Sequence, residues 1–183
     1  MAVGTILISS CTKSYVEYEY VLTCSKELLQ YATPQVTYRD NNGHFQTFLL
    51  SEADMFDTKN SVTIVINGKT MTDDSLKTWR KGVKYENFGI VDDEMTVTYI
   101  PKSDIPEDAT TEGRDLEHRL EVAYFEMKDD DGHYSTHHFS STTINVGAGT
   151  THKNLITAIK GFKDYKGIHI ESSGKIEEKT QAK

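Results

Sequence analysis

Cysteine, proline, tryptophan and positive charge are all scarce in this chain of 183 residues, and each shortage closes off a class of protein. Two cysteines cannot build a disulfide framework, and three prolines leave no room for a proline-rich linker. Twenty Lys and Arg stand against 28 Asp and Glu, for a formal charge of −8 and a pI near 5.3. Nucleic acid needs clustered cations to displace the counterions on phosphate, and anionic lipid needs a basic patch, so neither is an expected partner through charge. No internal apolar run approaches the roughly 18 residues of a membrane span. No Ser or Thr sits in a nucleophile elbow. Val146-Gly147-Ala148-Gly149-Thr150 is a lone Gly-x-Gly ahead of a helix and lacks the rest of a phosphate-binding fingerprint, so no cofactor is expected. The single Trp, Trp79, lies on an apolar-alternating strand, which suits a core residue better than a sugar platform.

What the chain does have is aromatic, short and alternating. The apolar fraction is 37% and mean hydropathy is −0.53, yet ten Tyr and seven Phe are present, residue types that suit half-buried strands. A chain of this length forms one domain or two small ones. A domain near 150 residues buries about 68–70% of its unfolded surface, enough for a core without staples. Val16, Tyr18, Tyr20, Leu22 and Cys24 alternate with Glu17 and Glu19, which predicts a strand with Cys24 facing inward as a small core residue. Ser25 as an N-cap ahead of Leu28 and Leu29 favours a helical turn up to Tyr31, and Thr33-Pro34 restarts extended chain.

Val36 to Arg39 and Phe45 to Leu50 flank Asp40-Asn41-Asn42-Gly43, a hairpin signal with Gly in the left-handed position. Val62 to Ile66 before Asn67-Gly68 is a second hairpin, of the two-residue type. Trp79, Val83 and Tyr85 mark another strand, and Met95 to Ile100 one more, before a polar loop from Pro101 to Arg114. Leu116 to Met127 folds back through Asp129-Asp130-Asp131-Gly132 onto Tyr134 to Ile144. Thr150-Thr151 caps a helix whose Leu155, Ile156, Ile159 and Phe162 share a face, ended by Gly161 or Gly167. Ile168-His169-Ile170 reads as a closing strand and 172–183 as a flexible tail. Eight or so short strands and one late helix predict a mainly β fold: an antiparallel β-sandwich, immunoglobulin-like or related, over 16–171. Arg39 to Thr47 echoes Lys128 to Thr136 (basic, three Asp or Asn, Gly, His, aromatic, polar, Thr). Either two similar halves, about 16–101 and 114–171, were duplicated, or two hairpins converged on one turn chemistry.

Metal-binding candidates are thin. Asp129 and Asp131 suggest calcium, but no later acid completes a loop motif, and the same residues are those that turns prefer. His133 and His137 share a strand face at about 13 Å, too far to chelate alone. A zinc site would need His44, His118 or a carboxylate from a neighbouring strand, and solvent-facing histidines are the simpler reading.

The amino terminus carries the one motif that speaks of location. Ala2 to Leu7 is short and apolar, and Ile8-Ser9-Ser10-Cys11 is an aliphatic residue, two small ones and Cys, followed at once by polar Thr12-Lys13-Ser14. This resembles a bacterial lipobox, and residues 1–10 read as the remnant of a signal peptide whose basic segment lies upstream. With Leu28 to Tyr38, the glycine hairpin and the β-rich body, the chain resembles small lipoproteins of the gut Bacteroidota type. The resemblance implies lipidation of Cys11, a tether over 11–15, anchoring to the outer membrane of the cell envelope, and an immunoglobulin-like or related sandwich. It supplies no catalytic residue. A non-catalytic binding module with a protein or glycan partner is the leading expectation. The alternatives are an envelope hydrolase or metal-dependent enzyme built from His and acidic residues, and a structural subunit of an envelope complex.

Overall fold

The computed structural model describes residues 15–39, 43–57, 64–66, 69–71, 76–86, 90–111, 116–127, 134–139, 147, 149–172 and 175–179. Among these the chain runs through β1 (Tyr15–Ser25), α1 (Lys26–Tyr31), β2 (Ala32–Arg39), β3 (Phe45–Leu49), β4 (Phe56–Asp57), β5 (Ile64–Ile66) and β6 (Lys69–Met71). It continues with β7 (Leu76–Glu86), β8 (Val91–Pro101), β9 (His118–Met127), β10 (Tyr134–Phe139), α2 (His152–Gly161), β11 (Lys163–Ile170) and β12 (Ile176–Lys179). Two antiparallel five-stranded sheets result, ordered β10-β9-β1-β7-β4 and β12-β11-β8-β2-β3, with β5 and β6 as a separate ribbon. The protein is a mainly β, antiparallel sandwich.

Period-2 alternation puts one face of each strand inside. On β1 the inward residues are Tyr18, Tyr20, Leu22 and Cys24, the last three fully buried. Their register partners on β9, Tyr124, Val122, Leu120 and His118, are buried too. From the second sheet β8 contributes Asp93, Met95, Val97 and Tyr99, and β11 contributes Ile168 and Ile170. A single apolar cluster draws on both sheets, and each fully buried Leu or Ile in it contributes roughly 1.5–3 kcal/mol. Trp79 packs at its margin, 5.6 Å from Phe48.

The helices turn corners. At α1, which carries the chain from β1 in one sheet to β2 in the other, the Ser25 hydroxyl accepts from the Leu28 N–H at 3.2 Å while Leu28, Leu29 and Tyr31 go inside. The later helix, α2, starts after Thr151, buries Leu155 and Ile159, and packs on β8. All three hairpins form. Gly43 has φ +81°, and only two residues separate Ile66 from its partner Lys69.

Two expectations need adjustment. The tail expected from 172 onward includes β12, which pairs with β11 from Ile170↔Ile176 to Gly167↔Lys179. One buried apolar residue, Ile176, among flanking charges suffices to dock it. The strand before it also begins five residues earlier than Ile168, because its polar inward positions find partners, Asp164 with His118 in the core and Lys166 with Glu178 on the neighbouring edge strand. The two echoing hairpins sit in different sheets. Arg39 pairs with Phe45, whereas Tyr134, the counterpart of Phe45, pairs with Met127 rather than with the counterpart of Arg39. Strands before and after residue 110 mix in both sheets, so the halves share one core.

Candidate functional site

Four polar side chains form a chain through the middle of the sandwich. Cys24 and His118 are cross-strand partners on the first sheet, and Tyr99 and Asp164 face them from the second. The Tyr99 hydroxyl lies 2.7 Å from His118 Nδ1, and His118 Nε2 lies 2.9 Å from Asp164 Oδ2. With Nε2–H donating to the carboxylate, Nδ1 accepts from the Tyr99 O–H, and the buried Cys24 thiol neighbours the phenol. The two hydrogen bonds both cross between the sheets, at His118. Phe162 packs edge-on against the imidazole at 4.6 Å and sits 5.8 Å from the Tyr99 ring.

Nucleophile, imidazole and carboxylate invite comparison with a catalytic triad, but the environment opposes it. All four residues are at most 5% exposed. Burial pushes the Cys24 thiol up to about 12, so it stays protonated and unreactive at neutral pH. Burial, and then the neighbouring thiol and carboxylate, also hold the Tyr99 phenol well above its ordinary value. The constellation is a lock between the sheets. A second tie lies further along β8, where the Tyr18 hydroxyl and the Glu94 N–H both donate to Asp93. Burial nonetheless raises the Asp93 carboxyl above its usual value.

The open face is the outer side of the second sheet. Register places Tyr165, Thr96, Thr37 and Thr47 in one row across β11, β8, β2 and β3, with Lys163, Thr98, Gln35 and Leu49 in the next. The Thr37 and Thr47 hydroxyls are 2.9 Å apart, and Thr98 donates to Gln35 at 3.3 Å. Tyr165 lies down along its own strand. A Cβ at Gly167 would fall 2.5 Å from its hydroxyl and 3.0 Å from Cζ, so glycine makes the space, and the hydroxyl donates to Glu94 at 2.9 Å. Burial, then that bond, keeps the phenol protonated. At the margin Asp92 binds His169 at 2.8 Å and Lys179 at 3.3 Å, with the His169 contact foremost in holding its carboxyl below the usual range. Phe45, Leu49 and Ile100 complete an apolar rim.

The glycine dependence is testable. Gly167→Ala is expected to cost about 1 kcal/mol by evicting Tyr165 from Glu94. In a Tyr165→Ala background the same change should cost little. Urea melts of the four proteins should give a coupling of about 0.5–1 kcal/mol, and simple additivity would show that Tyr165 does not depend on the bare backbone.

On the first sheet an open depression of about 300 Å³ lies over Gly82 between Glu17, Glu19 and Lys84. Its charges are already paired, Glu19 with Arg80 at 2.7 Å and Glu17 with Lys84 at 3.5 Å. Of the residues singled out from the sequence, Cys11, Asp129, Asp131 and His133 lie outside the described residues, and His137 is placed by backbone alone, opposite Tyr124 on β9. His118 is carried into the core instead of to a metal. Among the described residues no three His, Cys, Asp or Glu side chains gather as metal ligands. Sequence reasoning missed the outer face of the second sheet altogether. The alternating Thr of β8 was the available signal.

The fold and its two polar features define a β-sandwich with a locked interior and an open face lined by Thr, Gln and Tyr165 on the second sheet. Comparison with protein-family models, with curated proteins and with solved structures finds no match for the chain.

Proposed function

We propose that this chain is a non-catalytic binding module, held at the outer membrane by lipid on Cys11 and meeting its partner through the outer face of the second sheet. One observation carries the reading: Tyr165 clamped over Gly167 beside a lattice of neutral hydroxyl and amide groups, with Asp92 at the margin paired to His169 and Lys179. A fixed aromatic ring offers a platform for the apolar face of a sugar, and Thr and Gln offer both donors and acceptors to its hydroxyls. A neutral glycan fits such a surface better than a polyanion. The exposed Phe45, Leu49 and Ile100 favour a second reading, a structural subunit whose rim is covered by protein.

Two measurements test the parts separately. Intact mass of the membrane fraction should show a diacylglyceryl adduct on Cys11 that Cys11→Ala abolishes. Titration of the Cys11→Ala protein with neutral gluco-, manno- and xylo-oligosaccharides should shift the amides of Thr37, Thr96, Thr98 and Tyr165 in its ¹H–¹⁵N spectrum. Tyr165→Ala should weaken binding about tenfold, the worth of ~1.4 kcal/mol. Shifts confined to other surfaces would sink the glycan assignment and leave the tether standing.

A further inference from the structure

Of the four edges of the two large sheets, β10 is placed by backbone alone, and the other three are not equally guarded. The edge strand β12 is Ile-Glu-Glu-Lys, short and charged, and β4 is only two residues long. Both are ordinary ways of discouraging strand addition. In contrast β3 reads Phe-Gln-Thr-Phe-Leu, five residues without a charge, and exposes Phe45 at 59% and Leu49 at 53% in a chain whose net charge is −8. Its backbone polarity is known from one bond. The Leu50 N–H donates inward to Pro34 at 2.9 Å, so by alternation the N–H and C=O groups of Phe45, Thr47 and Leu49 point to the free edge.

We infer that β3 pairs with β3 of a second copy, antiparallel, about a two-fold axis at Thr47. The strand is self-complementary in that register. Phe45 of each copy stands opposite Leu49 of the other, and Thr47 opposite Thr47, all on the outer face, while Gln46 meets Phe48 on the inner one. The outward backbone groups fall on hydrogen-bonded pairs, giving about six new bonds. Charge does not oppose it: the Phe45 end carries Arg39 beside Asp40 and so balances, while exposed Glu52 and Asp54 follow the Leu49 end, so antiparallel docking keeps the two acidic ends apart. Such an interface is isologous and closes at two copies. It would join two second sheets into one of ten strands, with the Tyr165 platforms about 34 Å apart on one continuous face.

Sedimentation velocity of the Cys11→Ala protein over a concentration series should show reversible growth from the 20.7 kDa chain to twice that mass. Thr47→Lys sets two ammonium groups against each other at the axis and should weaken dimerisation at least about tenfold, a loss of ~1.4 kcal/mol. Thr47→Pro removes an N–H that faces only the free edge, so it should abolish the dimer while leaving the fold, judged by far-UV dichroism, unchanged. A monomer at every concentration, open-ended aggregation, or a dimer indifferent to both substitutions would overturn the pairing.

Discussion

Substitution of His118 by Ala is expected to cost about 3–5 kcal/mol, the penalty of leaving one member of a buried polar pair without its partner. For a chain of this size that lowers Tm by roughly 6–20 °C. The ring is fully enclosed, bonds Tyr99 on one side and Asp164 on the other, and fills the space against Phe162. Its loss therefore opens a cavity and strands a carboxylate at once. The two contributions separate in a cycle. If the stranded carboxylate dominates, His118→Leu with Asp164→Leu should recover most of the stability lost in His118→Leu alone, because an apolar pair of similar bulk needs no partner. Additive losses in chemical denaturation would mean that cavity and packing set the cost. Cys24→Ala should matter far less, since Cys24 only ends the chain.

The same residues show how far sequence reasoning reaches. Strands β1, β2, β7 and β8 and the helix α2 were legible because their apolar residues recur at a single period that survives without tertiary context. Cys24 was placed correctly for the same reason. His118 could be seen to share a face with Leu116, Leu120 and Val122, but nothing local says that an inward histidine will meet Asp164, 46 positions away and in the other sheet. A polar residue on an apolar face is legible, while its satisfaction is a property of the fold. Asp164 and Lys166 concealed the start of β11 by making a buried strand look like a loop. The candidate face was hidden differently. Thr33, Thr37, Thr47, Thr96 and Thr98 are unremarkable strand residues one by one, and become a surface only when sheet order sets β3, β2, β8 and β11 side by side.

Removal of 172–183 should destabilise the protein by about 2–4 kcal/mol, close to the effect of Ile176→Ala alone. A flexible tail would leave stability unchanged, and composition favours that outcome: Lys175, Glu177, Glu178 and Lys179 surround a single apolar residue. Position decides against it. Ile176 lies opposite Ile170 and is 7% exposed, so β12 seals the end of the core where β11 would otherwise be the sheet edge. Truncation also takes Glu178 from the buried Lys166 and Lys179 from Asp92. Glu177→Ala, which removes an exposed partner of Lys175, should fall within about 0.5 kcal/mol of the parent. Urea melts of the three proteins decide between tail and strand. The shortened chain should also aggregate more readily, because β12 carries the charges that guard this edge, and β11 would present Ile168 and Ile170 beside an unpaired backbone.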